Sequence, residues 1–234
     1  YRVFKIDYLF GAAYEGYRHD RTLSAIEAYR LGLKLIREAV PKDAALIACG
    51  ALPVATLPYA AAFRIGPDVL YSYGGVAFPF IANTARSTIN LSFTHGLLYQ
   101  NDPDTVILRH PLPQSGAEAS LILTLLSGGP FILGDDLPTL GKDRLALLSS
   151  PVVTALRKSR GPLIPLDFDK HSNKKAYHTA FTPILDRGRY SAVQPELWYS
   201  PREDGTAFLA VFNWGAKLKE QQIDLSTIDQ GFSS

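Results

Sequence analysis

Methionine is absent from all 234 residues, position 1 included, and cysteine occurs once. A single cysteine excludes an internal disulfide framework, so packing and hydrogen bonds must hold the fold. No run of about 18 apolar residues occurs, which excludes an ordinary transmembrane helix. The formal net charge is only +2, too small for a surface built to hold nucleic acid or an anionic membrane. No internal repeat, low-complexity tract or signal-peptide pattern is visible. The chain opens in mid-strand, so its first residues say nothing about a leader, and a cytoplasmic location is the expectation. What is present is an ordinary globular composition, 47% hydrophobic and 20% charged, able to bury a core.

Hydrophobic periodicity divides the chain. Residues 2–7 alternate apolar and polar and read as a strand. Over 22–40, Ile26, Tyr29, Leu33, Ile36 and Val40 recur at steps of three and four, which predicts an amphipathic helix stopped by Pro41. "DAALIACG" reads as a buried strand ending at Cys49, and "YAAAFRIG" as another. Helices are predicted over 81–95 and 117–127, with "GLLYQ" running into "NDPD" between them. "GGPFILGDD" reads as a strand, and 140–157 as a helix broken near Pro151.

Short buried strands thus alternate with helices about five times, the signature of βα units around a parallel sheet. Polar residues follow the apolar part of each strand: Asp7, Cys49, Arg64 with Asp68, Asp102 with Asp104, and Asp135 with Asp136. In a (β/α)8 barrel this is the C-terminal face that carries active sites, and in a doubly wound sheet it is the ligand crevice. A barrel needs eight strands. The expected fold is therefore α/β, the portion from about strand four to strand eight of a TIM barrel. It spans residues 1–160, followed by a linker over 161–176 and an incomplete antiparallel β domain over 177–234.

Asp7 and Asp68 end two different strands. Two carboxylates across a pocket can split glycosidic bonds, one attacking and the other donating a proton, provided their environments keep one ionised and one protonated. Lys5, two residues before Asp7, points to the same side of the strand and favours an ionised Asp7. On spacing alone the expected role of these carboxylates is rather as caps and ion pairs at loop entrances. Cys49 could be a small buried hydrophobe. Asp102 and Asp104 could shape a turn around Pro103, or Asp104 could hold Arg64. Asp135 and Asp136 are expected to cap the helix after Pro138. His19, His95 and His110 show no ligand spacing, so no metal is inferred. Trp198 and Trp214 are expected in a core, and the basic stretch 157–175 on a solvated face.

In order along the chain, "FKIDYLFGA", "CGA", "FRIGPDV", "NDPDTVILR" and "LSGGPFILGDDL" resemble the catalytic half of clan D α-galactosidases, most of all glycoside hydrolase family 36. The resemblance covers residues 1 to about 150. It implies that Lys5 and Asp7 stand at the K-x-D of barrel strand four, with Asp7 the nucleophile. It places Arg64 and Asp68 at the R-x-x-x-D after strand six, with Asp68 the acid/base, and Cys49 after strand five; Lys5, Cys49, Arg64 and Asp104 are the expected substrate-binding residues. The implied activity is retaining removal of terminal α-linked galactose from an oligosaccharide or glycoside, with no cofactor. Two other readings stay open: a transglycosylase of the raffinose-synthase type, and a non-catalytic carbohydrate-binding or assembly portion. Five strands cannot close a barrel, so the chain is expected to be part of a longer one or a homo-oligomer. Val3 or Phe4, Ile47, Phe63 and Ile132 are the expected inward side chains.

Overall fold

The computed structural model describes residues 1–71, 75–76, 78–158, 161–167, 194–215 and 217–229. In chain order the elements are β1 (Val3–Ile6), α1 (Ala25–Ala39), β2 (Ala45–Ala48), α2 (Pro53–Thr56), β3 (Ala62–Arg64), β4 (Leu70–Tyr71), β5 (Gly75–Val76), α3 (Phe78–Asn90), β6 (Gln100–Asp102), α4 (Gln114–Ser127), α5 (Lys142–Leu147), α6 (Pro151–Lys158), β7 (Ile164–Pro165), β8 (Leu197–Pro201), β9 (Ala207–Val211) and α7 (Ser226–Asp229). No helix among the described residues is long and apolar enough to cross a membrane.

Strands β1, β2, β3 and β6 form one sheet in that order, every pair parallel. The chain then extends the same arc. The Val106 N–H donates to the Ile132 carbonyl at 2.8 Å, and the Gly134 N–H to the Val106 carbonyl at 2.9 Å, a parallel bridge at Leu133. Two glycines seat this fifth strand. Gly128 closes α4 with φ of 71°, a left-handed cap that costs glycine least. A β-carbon on Gly129 would collide with the Asn101 carbonyl oxygen, so a larger residue would push the strand off β6. The result is the expected arc of a (β/α)8 barrel.

Helix α1 begins with a capping box in which Ser24 and Glu27 satisfy each other's backbone N–H. Its Tyr29 and Leu33 are buried with Leu9, Ala48, Phe63 and Tyr99. The tyrosine hydroxyl meets Thr56 at 2.5 Å and accepts the Leu52 N–H at 3.2 Å, which ties α1 to α2. The strand period of two therefore gives the sheet two unlike faces. Ile6, Ala48 and Phe63 face the helices, while Lys5, Cys49, Arg64 and Asp102 face the other way. Phe63, expected among the inward side chains, belongs to the helix-facing set. Its ring lies 4.4 Å from that of Tyr99, and its neighbour Arg64 takes the inward position. Of the other expected inward residues Ile47 is buried, Phe4 and Ile132 are half-buried, and Val3 is exposed.

A second, larger core joins α3, α4 and α6 to the antiparallel sheet β7-β8-β9. Trp198 lies at its centre with no exposed surface. Its indole N–H donates to the Pro195 carbonyl at 2.9 Å, and its ring packs against Phe212 at 4.7 Å. Trp214 is partly buried against the same cluster.

Several local expectations change. The helix read over 81–95 is Phe78–Asn90, followed by a separate 3-10 turn at Ser92–Thr94. Strand β7 falls inside the stretch read as linker. The Asp167 carboxylate accepts the N–H groups of Glu196 and Leu197 at 3.0 and 3.2 Å and pins that stretch to β8. Residues 168–193, which include most of the expected linker and the start of the expected β domain, lie outside the described residues.

Candidate active site

The inward row of the parallel sheet ends in ionisable side chains. Register fixes their neighbourhood: Lys5 is paired with Ile47, and Arg64 with Asp102. Partners in a parallel ladder project to the same face, so one residue type per strand end is enough to bring distant positions together.

At the end of β1, Asp7 accepts the Tyr8 N–H at 2.7 Å. Tyr8 adopts φ of 55°. Asp104, at the end of β6, adopts φ of 83°, and these are the two non-glycine residues with positive φ among those described. Both flank the same cluster, and strained backbone of this kind gathers at functional sites.

Burial alone would raise the Asp7 carboxyl. The Cys49 thiol, the Tyr8 N–H, Arg64 and Lys5 outweigh it and hold Asp7 below its ordinary value of 3.8. Burial and the hydrogen bond to Asp7 push the Cys49 thiol up to about 11. At neutral pH it is therefore a protonated donor to Asp7, not a nucleophile. Cys49 is buried, as a small hydrophobe would be, but its sulfur is part of a polar chain. One Arg64 nitrogen reaches it at 3.7 Å.

Arg64 is the hub. Its side chain is 5% exposed. One terminal nitrogen pairs with Asp68 at 2.5 Å and also with Asp104, while the other reaches Cys49. Asp104 accepts the Val69 N–H at 2.9 Å, which holds the segment after Asp68 against β6. Burial lifts the Asp104 carboxyl above its ordinary value, with Arg64, the Val69 N–H and Lys5 pulling the other way. The Asp68 side chain is 76% exposed, so its carboxyl stands at the open mouth. The Lys5 ammonium lies 3.4 Å from Asp102 and 3.7 Å from Asp104.

Lys5, Asp7, Cys49, Arg64, Asp68 and Asp104 thus meet in one connected network, with Arg64 spanning from the Asp7–Cys49 side to Asp68. Asp102 joins it as an inward, fully buried carboxylate. The turn reading of Asp102 is accurate for one oxygen, which accepts the Asp104 N–H at 3.0 Å. The second oxygen faces Lys5. No local pattern in "QND" signalled this, because the face Asp102 shares with Arg64 follows from the register of β3 and β6.

Asp135 is corrected. The helix after Pro138 begins at a Gly141 cap. Asp135 instead accepts the Leu108 N–H at 2.6 Å and pairs with Arg109 at 2.7 Å, its side chain 1% exposed. Asp136 occupies the cap position of the 3-10 turn Leu137–Thr139 without a side-chain cap bond. A strand end facing a polar loop needed a buried acceptor more than the short turn needed a cap.

Two clefts lie elsewhere. One of about 740 Å³ runs between α4, α6 and β9, and one of about 750 Å³ lies beside His95, Ser127 and Arg202. Neither includes Asp7 or Asp68 among its lining residues, and no described group of three His, Cys, Asp or Glu side chains is arranged to hold a metal ion.

No family model matches the chain. Solved structures do share its fold, part of a (β/α)8 barrel followed by an antiparallel β-sheet. An α-galactosidase from Saccharomyces cerevisiae, solved with raffinose, aligns over 80% of this chain and 45% of its own, with 17% identity and a TM-score of 0.56. A GH27 β-L-arabinopyranosidase from Geobacillus stearothermophilus aligns over 88% of this chain and 44% of its own, with 13% identity and a TM-score of 0.52. An α-galactosidase from Thermus thermophilus, solved with stachyose, is 22% identical over 67% of this chain and 34% of its own, at a TM-score of 0.44. At these identities the likeness concerns the fold. The chain spans from about a third to just under half of the length of the structures it matches.

Proposed function

We propose that this chain carries the reacting pair of a retaining glycoside hydrolase that removes terminal α-linked galactose, of the family 36 type. The supporting observation is that Arg64 gathers two carboxyls from different strand ends, pairing with Asp68 and lying close enough to favour ionised Asp7. Asp7 is held ionised by a thiol, a backbone N–H and two cations, whereas Asp68 stands exposed at the mouth. Asp7 attacks C1 of the galactose, and the bond to the leaving oxygen breaks as Asp68 gives that oxygen its proton. A covalent glycosyl-enzyme results. Asp68, now a base, takes a proton from water, whose oxygen attacks C1 and releases Asp7. Arg64 and Lys5 supply fixed positive charge beside the atoms where charge changes. No step needs a metal or cofactor. The domain reading that accompanies this function is a catalytic barrel portion over 1–160 and a C-terminal β domain beyond it, working on an α-galactoside oligosaccharide or glycoside.

Azide tests the two roles separately. With an aryl α-galactoside, Asp7→Ala abolishes hydrolysis, and added azide restores turnover as the β-galactosyl azide, because a small anion occupies the space of the lost carboxylate. Asp68→Ala gives the α-azide, since azide then attacks the intact covalent intermediate. The same anomer from both variants, or near-normal activity of Asp7→Ala, refutes the assignment. Galactose and L-arabinopyranose differ by the exocyclic CH2OH. An aryl β-L-arabinopyranoside in the same assay therefore tells whether the site needs that group.

A further inference from the structure

We propose that Asp102 is the positioning residue of this site, a fully buried carboxylate that holds both Lys5 and Asp104 and so sets the charge against which Asp7 and Asp68 work. The inference rests on the reading of Asp7 and Asp68 as the reacting pair. Asp102 has no exposed surface, and it sits in register with Arg64 on the neighbouring strand. One oxygen accepts the Asp104 N–H at 3.0 Å and fixes a residue whose φ of 83° is costly without glycine. The other oxygen has no hydrogen-bond donor among the described residues. Its counter-ion there is the Lys5 ammonium at 3.4 Å. A buried carboxylate with one free oxygen and one cation within reach draws that cation strongly. Lys5 is thereby held over Asp102 and Asp104, two residues along β1 from Asp7.

The charged groups facing Asp102 are Lys5 from β1, Arg64 from β3 and Asp104 from its own strand end. Asp7, Cys49 and Asp68 lie beyond them. Two cations thus serve four carboxyls. Removing one buried negative charge makes each remaining carboxyl ionise more readily, and it frees Lys5 to turn to Asp7. Both effects have the same sign.

Asp102→Asn separates charge from geometry, because the amide oxygen still accepts the Asp104 N–H. The experiment is a carbon-13 NMR titration of the Asp7 carboxyl, together with the pH profile of kcat/KM on an aryl α-galactoside. The expected result for Asp102→Asn is that the Asp7 titration and both limbs of the profile move to lower pH, by about half a unit for a unit charge at this range. Lys5→Met, which removes a cation from the same cluster, moves them to higher pH. An Asp7 titration that stays in place in folded Asp102→Asn overturns the proposal. Should Asp102→Asn fail to fold, Asp102→Ser, whose hydroxyl can still accept the Asp104 N–H, takes its place: a downward shift of the Asp7 titration supports the proposal, and no shift overturns it. Absence of galactosidase activity in the wild type would refute the functional reading instead, while the NMR titration would still decide the role of Asp102.

Discussion

The two faces of the parallel sheet are built from alternate residues of the same strands, yet they are held by different physics. On the helix side, Ile6, Ala48 and Phe63 pack with Tyr29, Leu33 and Tyr99, and removal of apolar surface from water does the holding. On the other side Lys5, Arg64, Asp102 and Asp104 are held by opposite charge and by backbone N–H groups. Phe63 and Arg64 are chain neighbours that belong to different faces. The charged face costs desolvation and contributes little net stability, because a buried ion pair roughly repays its own burial. The apolar face therefore carries the charged one. A substitution on either side should be readable by which property it changes.

The largest effect is expected where the charged face is broken from within. Arg64→Met leaves buried Asp104 with only the more distant Lys5 as counter-ion and removes the bridge to Asp68. It should cost about 3–5 kcal/mol in urea unfolding and lower kcat/KM on an aryl α-galactoside by roughly a hundredfold or more. A variant that lost activity without losing stability would mean that Arg64 contacts substrate but does not organise Asp104.

Phe63→Ala breaks the other face one residue away. The ring is 3% exposed, so its loss should cost about 3 kcal/mol, with KM and the pH profile of the folded fraction unchanged at low temperature. A shifted pH profile would show that the two faces are coupled more tightly than alternate projection implies.

A smaller effect sharpens the charged side alone. Because the folded Asp7 carboxyl lies below its ordinary value of 3.8, its contribution to stability is complete above that value and disappears as the pH falls through the lower folded value. Wild-type protein should therefore lose stability on acidification more steeply than Asp7→Asn, and the two curves should converge in acid. Parallel curves down to low pH would show that the thiol and the cations do not favour ionised Asp7.

Much of this architecture was legible locally. The three- and four-residue spacing that placed Tyr29 and Leu33 on one side of α1 needs no distant partner, and neither does the alternation through Lys5 and Asp7. The alternation of short strands with helices followed from the same periodicities. What the sequence hid depends on register. Arg64 opposite Asp102, and Cys49 between Asp7 and Arg64, are consequences of which strands pair and where. No local pattern encodes that. The expectation that Asp135 caps a helix fails for the same reason. Its partners Leu108 and Arg109 stand 27 and 26 positions away, whereas a cap is a local motif and was the nearest explanation at hand. Phe63 shows the converse error, a strand assigned correctly but with its two faces exchanged. The resemblance to the galactosidase motifs singles out Lys5, Asp7, Cys49, Arg64 and Asp68 without revealing how Asp102 joins them.

The central claim is that Asp7 attacks the anomeric carbon from the charged face of the sheet. A galactose-configured cyclophellitol, whose strained ring is opened by the nucleophile to leave a stable ester, tests it most directly when the labelled protein is digested and mapped by mass spectrometry. The account predicts a single adduct on the peptide that contains Asp7, lost in Asp7→Asn and retained in slower form in Asp68→Asn. An adduct on Asp68 or on another residue, or labelling that persists in Asp7→Asn, would contradict it.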